Sequence, residues 1–482
     1  MKNPSFTRLI AALSLVCCAG PLAAAGFSSG STGADGAFAP NADTTVQLPT
    51  SGVLNYTTVN IPAGVTVRFA QTNKAPVVML ATGDVKIAGT VDISGAPSLN
   101  VTIGSFQFQG GKGGPGGYDG GWGGQPVTST GGTGYGPGGG GGGTYNGSVC
   151  ASVPQGGGGG GFSGNGEASN CVKGEGYQAG VKTGFGGPGY GSITMLPLVG
   201  GSGGGGGAGS PNGTGGPGSG GGGGGGALLL VSSGTVELTG AIKATGGNPG
   251  NNNGTSCTGG VSYGGTGGGG AGGAVRILAS AFTGNGTINV AGGKFGCGGG
   301  GRHDGGAGAP GRSSVEIVTG GTFNISALPS LAFTSIGGVA VPPNPTGAGD
   351  VELPNTVTNP VTVNIAASGI PVGTVVKVIL NQPYGTNITA NSSPLSGTLQ
   401  SSTATASIDI PPGATVLMAS TTYTLTLAMG EALSVYAQGE RVEKVRLSAA
   451  MGGQTQATLI TVSGKEFDVP YAALATIPSH EG

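Results

Sequence analysis

The sequence predicts an all-β protein in two unlike parts: a short parallel β-solenoid carrying glycine-rich insertions, followed by an immunoglobulin-like β-sandwich. Three observations predict it. A strand-rich motif of about 20 residues recurs three times between residues 75 and 292, the period of a stacked repeat. Glycine supplies 113 of the 482 residues, against roughly 7% in ordinary proteins, and 56 of these fall within positions 110–226. Only 11 fall within 351–482, where short alternating segments and turn residues replace them.

The chain opens with Lys2 and Arg8, an apolar run over 9–19, Pro21 and then Ala23-Ala24-Ala25. These are the parts of a secretory signal peptide spanning 1–25, too short to stay in a bilayer as a helix. A lipoprotein signal at Cys17 or Cys18 is disfavoured by Val16, where such signals carry a small residue. The mature protein is therefore expected to be secreted or held at a surface by partners, with no membrane span. Four cysteines remain after cleavage: Cys150, Cys171, Cys257 and Cys297. An oxidising compartment favours disulfides, and of three possible connectivities the shorter loops favour Cys150–Cys171 and Cys257–Cys297. A zinc site is the alternative, but none of the four stands in a C-x-x-C pair, and no cofactor is expected.

The repeat reads APVVMLATGDVKIAGTVDISG at 75–95, GALLLVSSGTVELTGAIKATG at 226–246 and GAVRILASAFTGNGTINVAG at 273–292. Each copy has an apolar run, a small-residue break, an alternating strand, a glycine corner and a second strand. Partial copies occupy 53–70 and 314–326. One copy cannot bury its own inward row, so copies must stack. The inward row is predicted as Val77, Met79, Val85, Ile87, Val91 and Ile93, then Leu228, Leu230, Val236, Leu238 and Ile242, then Val275, Ile277, Ile288 and Val290. A β-sandwich has strands of similar length, but the shared corner residues Gly89, Gly240 and Gly286 favour the solenoid. The repeats and their insertions span 26–340. The three insertions, about 96–225, 247–272 and 293–311, leave from one corner, so they are expected to project from one side, often a binding face.

Residues 110–124 read GGKGGPGGYDGGWGG. Two glycines per triplet suit an extended helix of three residues per turn, and collagen is excluded because it needs one glycine per triplet in strict phase. Ordering 56 glycines costs on the order of 30–55 kcal/mol more than ordering as many alanines. Two disulfides contribute only ~3 kcal/mol each. Either a dense lattice of backbone hydrogen bonds offsets the cost, or the tract is a flexible coil; the in-phase triplets favour the lattice.

These residues resemble the polyglycine II modules of phage tail-fibre adhesins and, more loosely, PE-PGRS-type glycine-rich bacterial surface proteins, while the repeats resemble the pectin-lyase-like β-helix superfamily. The resemblance covers about 45–326 and implies recognition at loops ending the glycine helices, without a shared motif that assigns a residue. Tyr118, Trp122, Tyr135, Tyr145, Phe162, Tyr177, Phe185 and Tyr190 punctuate the tract. Such aromatics either plug gaps between glycine helices or stack on sugars and partners. The binding candidates are Tyr118, Trp122, Tyr135, Tyr145, Tyr177 and Tyr190, the first two foremost.

After a linker at 341–350, strands are predicted over 361–365, 374–380, 404–410, 423–427 and 442–447, punctuated by turn signals such as Pro411-Pro412-Gly413. This second domain, 351–482, is the expected sandwich. Glu440, Arg441, Glu443, Lys444 and Arg446 read as a charged strand edge guarded against aggregation, and Val442, Val445 and Leu447 cannot share one face unless a bulge intervenes.

A formal net charge of −1 gives no basic surplus for nucleic acid. With two histidines and few carboxylates, acid–base chemistry has little to work with: Asp84 and Asp92 are eight positions apart, and the one acid–base-looking cluster, Arg302-His303-Asp304, sits among glycines. The expected function is non-enzymatic adhesion or binding through the projecting face, to a surface glycan or another cell-surface component. The alternatives are a structural subunit of an extracellular fibre or matrix, acting by self-association, and a carbohydrate-active β-helix enzyme. Ice binding is disfavoured by the lack of a regular T-x-T ladder.

Overall fold

The computed structural model describes residues 26–482 apart from 71–73, 102–107, 128–129, 146–153, 170–183, 211–215, 251–263, 297–303, 320–322, 324–327, 342–350, 383–385, 414–415, 425–435, 438–439, 451–454 and 478–482. The signal segment, Cys150, Cys171, Cys257, Cys297, Tyr177, His303 and most of the linker lie outside the described residues. The chain is nearly all β, 38% strand and 2% helical, with parallel sheets followed by antiparallel ones.

Strands β1 (Thr44–Gln47), β2 (Val53–Tyr56), β3 (Val59–Ile61), β4 (Thr66–Ala70), β5 (Val77–Ala81), β6 (Val85–Ile87), β7 (Thr90–Asp92), β8 (Ala227–Leu238), β9 (Ala241–Lys243), β10 (Ala274–Thr283), β11 (Thr287–Asn289) and β12 (Arg312–Ile317) make two parallel sheets. One runs β1-β4-β7-β9-β11 and the other β12-β10-β8-β5-β2, with β3 and β6 beside it. Each pass of the repeat adds a strand to both sheets. Register stacks like on like: Leu54, Met79, Leu230, Ile277 and Val315 form one column, and Val67, Val91, Ile242 and Ile288 another. The expected inward row is buried between the sheets, with Ile288 and Val290 partly so at the last turn. The corner glycines stack as well, because a Cβ on Gly240 would lie 1.9 Å from the Gly89 carbonyl oxygen.

Strand β5 and the first halves of β8 and β10, Arg276 apart, are apolar on both faces, as buried parallel strands are. Their outer face packs under the first glycine excursion. Val78, Leu80, Leu229, Val231 and Leu278 meet Phe162, Tyr190, Met195, Leu198 and Val199 in a second core.

The described part of the glycine tract is ordered, and its hydrogen bonds repeat every third residue. Within 201–208, the N–H groups of Gly201, Gly204 and Gly207 donate to Gly225, Gly222 and Ser219. Those of Gly203 and Gly206 donate to Tyr135 and Gly132, and those of Gly205 and Ala208 to Gly158 and Gln155. The carbonyls of Gly201, Gly204 and Gly207 accept from Tyr118, Gly121 and Gly124. Those of Gly203 and Gly206 accept from Gly140 and Gly143, and those of Ser202, Gly205 and Ala208 from Ala271, Gly268 and Gly265. One segment thus bonds six neighbours, which a helix of three residues per turn allows. A net gain of about 0.5–1.5 kcal/mol per bond matches the 0.5–1 kcal/mol ordering cost of each glycine. Three glycine runs continue without a break into β8, β10 and β12: Ala274 N–H donates to Gly226, and Arg312 N–H to Gly273.

The antiparallel part comprises β13 (Ser330–Ile336), β14 (Val339–Ala340), β15 (Val361–Ser368), β16 (Val375–Asn381), β17 (Ile388–Pro394), β18 (Ser396–Gly397), β19 (Ser402–Ile408), β20 (Val416–Thr424), β21 (Tyr436–Ala437), β22 (Glu440–Ala450), β23 (Thr455–Thr461) and β24 (Glu466–Val469). They form two sheets, β14-β13-β15-β19-β18 and β17-β16-β20-β22-β23-β24 with β21 on β22, around one shared core. Four of the five expected strands are β15, β16, β19 and β22; the one expected over 423–427 meets β20 only at 423–424, with β20 beginning at Val416 and 425–427 outside the described residues. This part starts earlier than its composition suggests, since β13 pairs with β15. The charged strand is corrected from an edge to an interior position: β22 lies between β20 and β23. Its register shifts between Val442 and Lys444, so Val442, Val445 and Leu447 all reach the core. The charges face outward, where Glu466 takes a two-pronged bond from Arg446 at 2.8 and 2.6 Å.

Candidate functional site

The aromatic candidates separate into packing and outward-facing groups. Phe162 and Tyr190 are buried and meet edge to face at 5.1 Å, and the Tyr190 hydroxyl donates to the Gly200 carbonyl. Burial drives the Tyr190 pKa well above its ordinary value. Tyr145 is half-buried. Tyr118 lies half-buried with its hydroxyl enclosed and without a hydrogen-bond partner, and burial raises that hydroxyl's pKa far above the ordinary value.

Tyr118 lines a small apolar void together with Tyr190, Pro137, Val199, Phe467 and Val469, at the seam between the glycine lattice and the antiparallel sheets. The seam also has a direct hydrogen bond, Leu198 N–H to Thr476 Oγ1 at 2.9 Å, with Ala473 packed on the lattice-side core. Both Tyr118 and Tyr190 therefore help to lock the two parts together.

Trp122 and Tyr135 remain outward, 50% and 54% exposed. Trp122 rests edge-on against Phe108 at 6.4 Å. Tyr135 is braced by its backbone, whose N–H donates to the Asp119 carbonyl and whose carbonyl accepts from Gly203. Lys74 holds its ammonium 5.8 Å from the ring centres of both Tyr118 and Tyr135, a cation–π distance.

Lys74 also lines an open groove of about 860 Å³ between the outer face of the β1-β4-β7-β9-β11 sheet and residues 112–119. Arg68, Lys112 and Lys243 line it with Asp92 and Asp119. Arg68, Asp92 and Lys243 stand in one column because register pairs them across β4, β7 and β9. Arg68 Nε lies 3.7 Å from Asp92 Oδ2. Asp119 accepts from Gly113 N–H at 2.9 Å and Lys112 Nζ at 3.0 Å, with Lys74 at 3.8 Å. Burial alone would raise the Asp119 carboxyl, but these donors outweigh it and hold its pKa below the ordinary value. Lys243 forms no ion pair with any described residue.

Sequence reading missed this groove because its cations come from segments far apart in the chain. The usable signal was the repeat alignment, which places Asp92, Lys243 and Asn289 at equivalent positions. Asp84 accepts the Thr235 N–H at 2.7 Å and so braces a turn. Asp304 is buried among glycine segments. Among the described residues no cluster of three His, Cys, Asp or Glu side chains is placed to hold a metal ion, and no helix is long and apolar enough to cross a membrane. No protein-family model, no curated protein and no solved structure matches the chain.

Proposed function

We propose that this chain is a secreted or cell-surface binding protein, an adhesin whose polyglycine II-like lattice is a rigid platform. In this reading the parallel sheets are a short β-solenoid that anchors the lattice, and the antiparallel part is an immunoglobulin-like sandwich bracing it. One observation carries the reading: the lattice orders its backbone through six neighbours, yet leaves Trp122 and Tyr135 half-exposed on its surface. Rigid aromatics held by a scaffold supply contact area at low entropic cost, and their faces suit sugar rings or a partner's apolar side chains.

The test is a glycan-array and whole-cell binding screen of the full chain beside Trp122→Ala and Tyr135→Ala. Binding that falls tenfold or more in both variants, with folding intact by circular dichroism, supports the reading. Binding untouched by either substitution removes the aromatic face from it. A structural-subunit reading is favoured by a separate observation: the last strand, β12, leaves Val315 and Ile317 at 40% and 54% exposure in columns that are buried in earlier turns. Concentration-dependent filament growth, measured by light scattering and abolished by Ile317→Lys, would support it.

A further inference from the structure

We infer that the groove between the five-stranded parallel sheet and residues 112–119 binds a carboxylate-bearing glycan, an inference that names a ligand class for the binding function proposed above. The first ground is where charge lies. The chain has 18 Lys and Arg against 19 Asp and Glu, yet the groove is lined by Arg68, Lys74, Lys112 and Lys243 against Asp92 and Asp119, with Asp43 beside Arg68 at 4.0 Å. A near-neutral protein has placed a local surplus of positive charge in one open concavity. At about 860 Å³ the groove is within the range of ligand sites.

The second ground is how the cations are held. Lys74 is fixed between the rings of Tyr118 and Tyr135, and Lys112 is fixed on Asp119. Lys243 stands next to Asp92 in register but has no ionic partner among the described residues. Arg68 touches its two carboxylates only at 3.7 and 4.0 Å, leaving its planar fork open to a carboxylate in two-pronged geometry.

The third ground discriminates between polyanions. Nucleic acid carries a phosphate at every step, and Asp92 and Asp119 would oppose it. An acidic glycan spaces its carboxylates with hydroxyl-rich neutral sugars, whose O–H groups can donate to the free lone pairs of those two aspartates. Ser94 and Thr245, hydrogen-bonded to each other at 3.0 Å, add hydroxyls to the same wall. Tyr135, exposed and 5.8 Å from the Lys74 ammonium, offers a stacking surface beside that lysine.

The experiment is isothermal titration calorimetry on the full chain with a hyaluronan octasaccharide, a neutral dextran oligosaccharide of equal length and a single-stranded DNA oligonucleotide. Hyaluronan is expected to bind, more weakly as ionic strength rises past about 0.1 M. Lys243→Ala should weaken it about fivefold, and Lys112→Ala with Lys243→Ala at least twentyfold, with melting temperature unchanged. Lys243→Arg, which keeps the charge, should bind within about twofold of the wild type. Hyaluronan binding no tighter than dextran, or indifference to both lysine substitutions, overturns the inference. Tighter DNA binding that the lysine variants abolish overturns it in favour of nucleic acid. If hyaluronan fails while other glycans or cells still bind through Trp122 and Tyr135, the groove assignment falls and the adhesin reading survives. If neither binds, both fall.

Discussion

Replacing Gly206 with alanine would put a methyl carbon 1.9 Å from the Trp122 carbonyl oxygen and 2.4 Å from its carbon. Gly206 sits on the central segment of the lattice, its N–H donating to Gly132 and its carbonyl accepting from Gly143, each at 2.8 Å. The neighbour cannot swing aside, because the obstructing atoms are backbone. Overpacking a tight interior costs about 1–3 kcal/mol, and stretching two hydrogen bonds adds up to about 1 kcal/mol each. Alanine returns about 0.4–1 kcal/mol by restricting the unfolded chain. The net expectation is a loss of about 1–4 kcal/mol. Gly164, in the same tract, has nothing within 4 Å of its would-be Cβ and no unusual φ. Gly164→Ala should therefore be neutral or stabilise by up to about 1 kcal/mol. Urea denaturation followed by circular dichroism on both variants decides the matter. If the two substitutions shift the midpoint equally, the tract is a coil and the lattice argument is wrong.

Other consequences are as specific. Tyr118→Phe removes a buried hydroxyl that has no partner and should stabilise the chain by about 1 kcal/mol in the same denaturation assay. Thr476→Val leaves the Leu198 N–H unpaired in the seam; a loss of about 1–3 kcal/mol, with faster proteolysis between the two parts, is expected. Glu316 has a pKa below its ordinary 4.5, chiefly because Arg276 donates to both its carboxylate oxygens. A carboxylate with a lowered folded-state pKa stabilises the fold above its unfolded value, and that contribution fades as pH falls through the lowered one. The stability gap between wild type and Glu316→Gln should thus be full at neutral pH and close progressively below pH 4.5. Titration by calorimetry at stepped pH measures it.

Much of the architecture was legible because it is written as periods. The 20-residue repeat gave the inward columns correctly down to Val77, Leu228 and Val275, which pair in register. The glycine triplets gave the three-residue bonding period found in 201–208. What escaped was adjacency between segments. Nothing local in the sequence distinguishes buried Tyr190 from exposed Tyr135, since each follows a glycine and burial depends on which distant segment lies alongside. The groove cations Lys74, Lys112 and Lys243 meet only once the first excursion has returned. β13 was missed because it precedes the compositional change, although its alternation of Leu331 and Phe333 with exposed neighbours is clear once its partner β15 is known. The bulge in β22, by contrast, was readable from three apolar residues that simple alternation cannot bring to one face.

The glycine lattice has a thermal consequence. Unfolding an ordinary domain raises the heat capacity because apolar side chains become hydrated, whereas exposing polar backbone lowers it. Residues 201–208 enclose almost no side-chain carbon, and their order rests on peptide groups bonded to peptide groups. Melting such a region should change the heat capacity by much less than the usual ~12–15 cal/mol/K per residue. Its stability curve would then be flat where that of an oily core is domed. The lattice would keep its strength in the cold, where hydrophobic cores lose theirs, and behave in this respect more like a hydrogen-bonded crystal than a droplet.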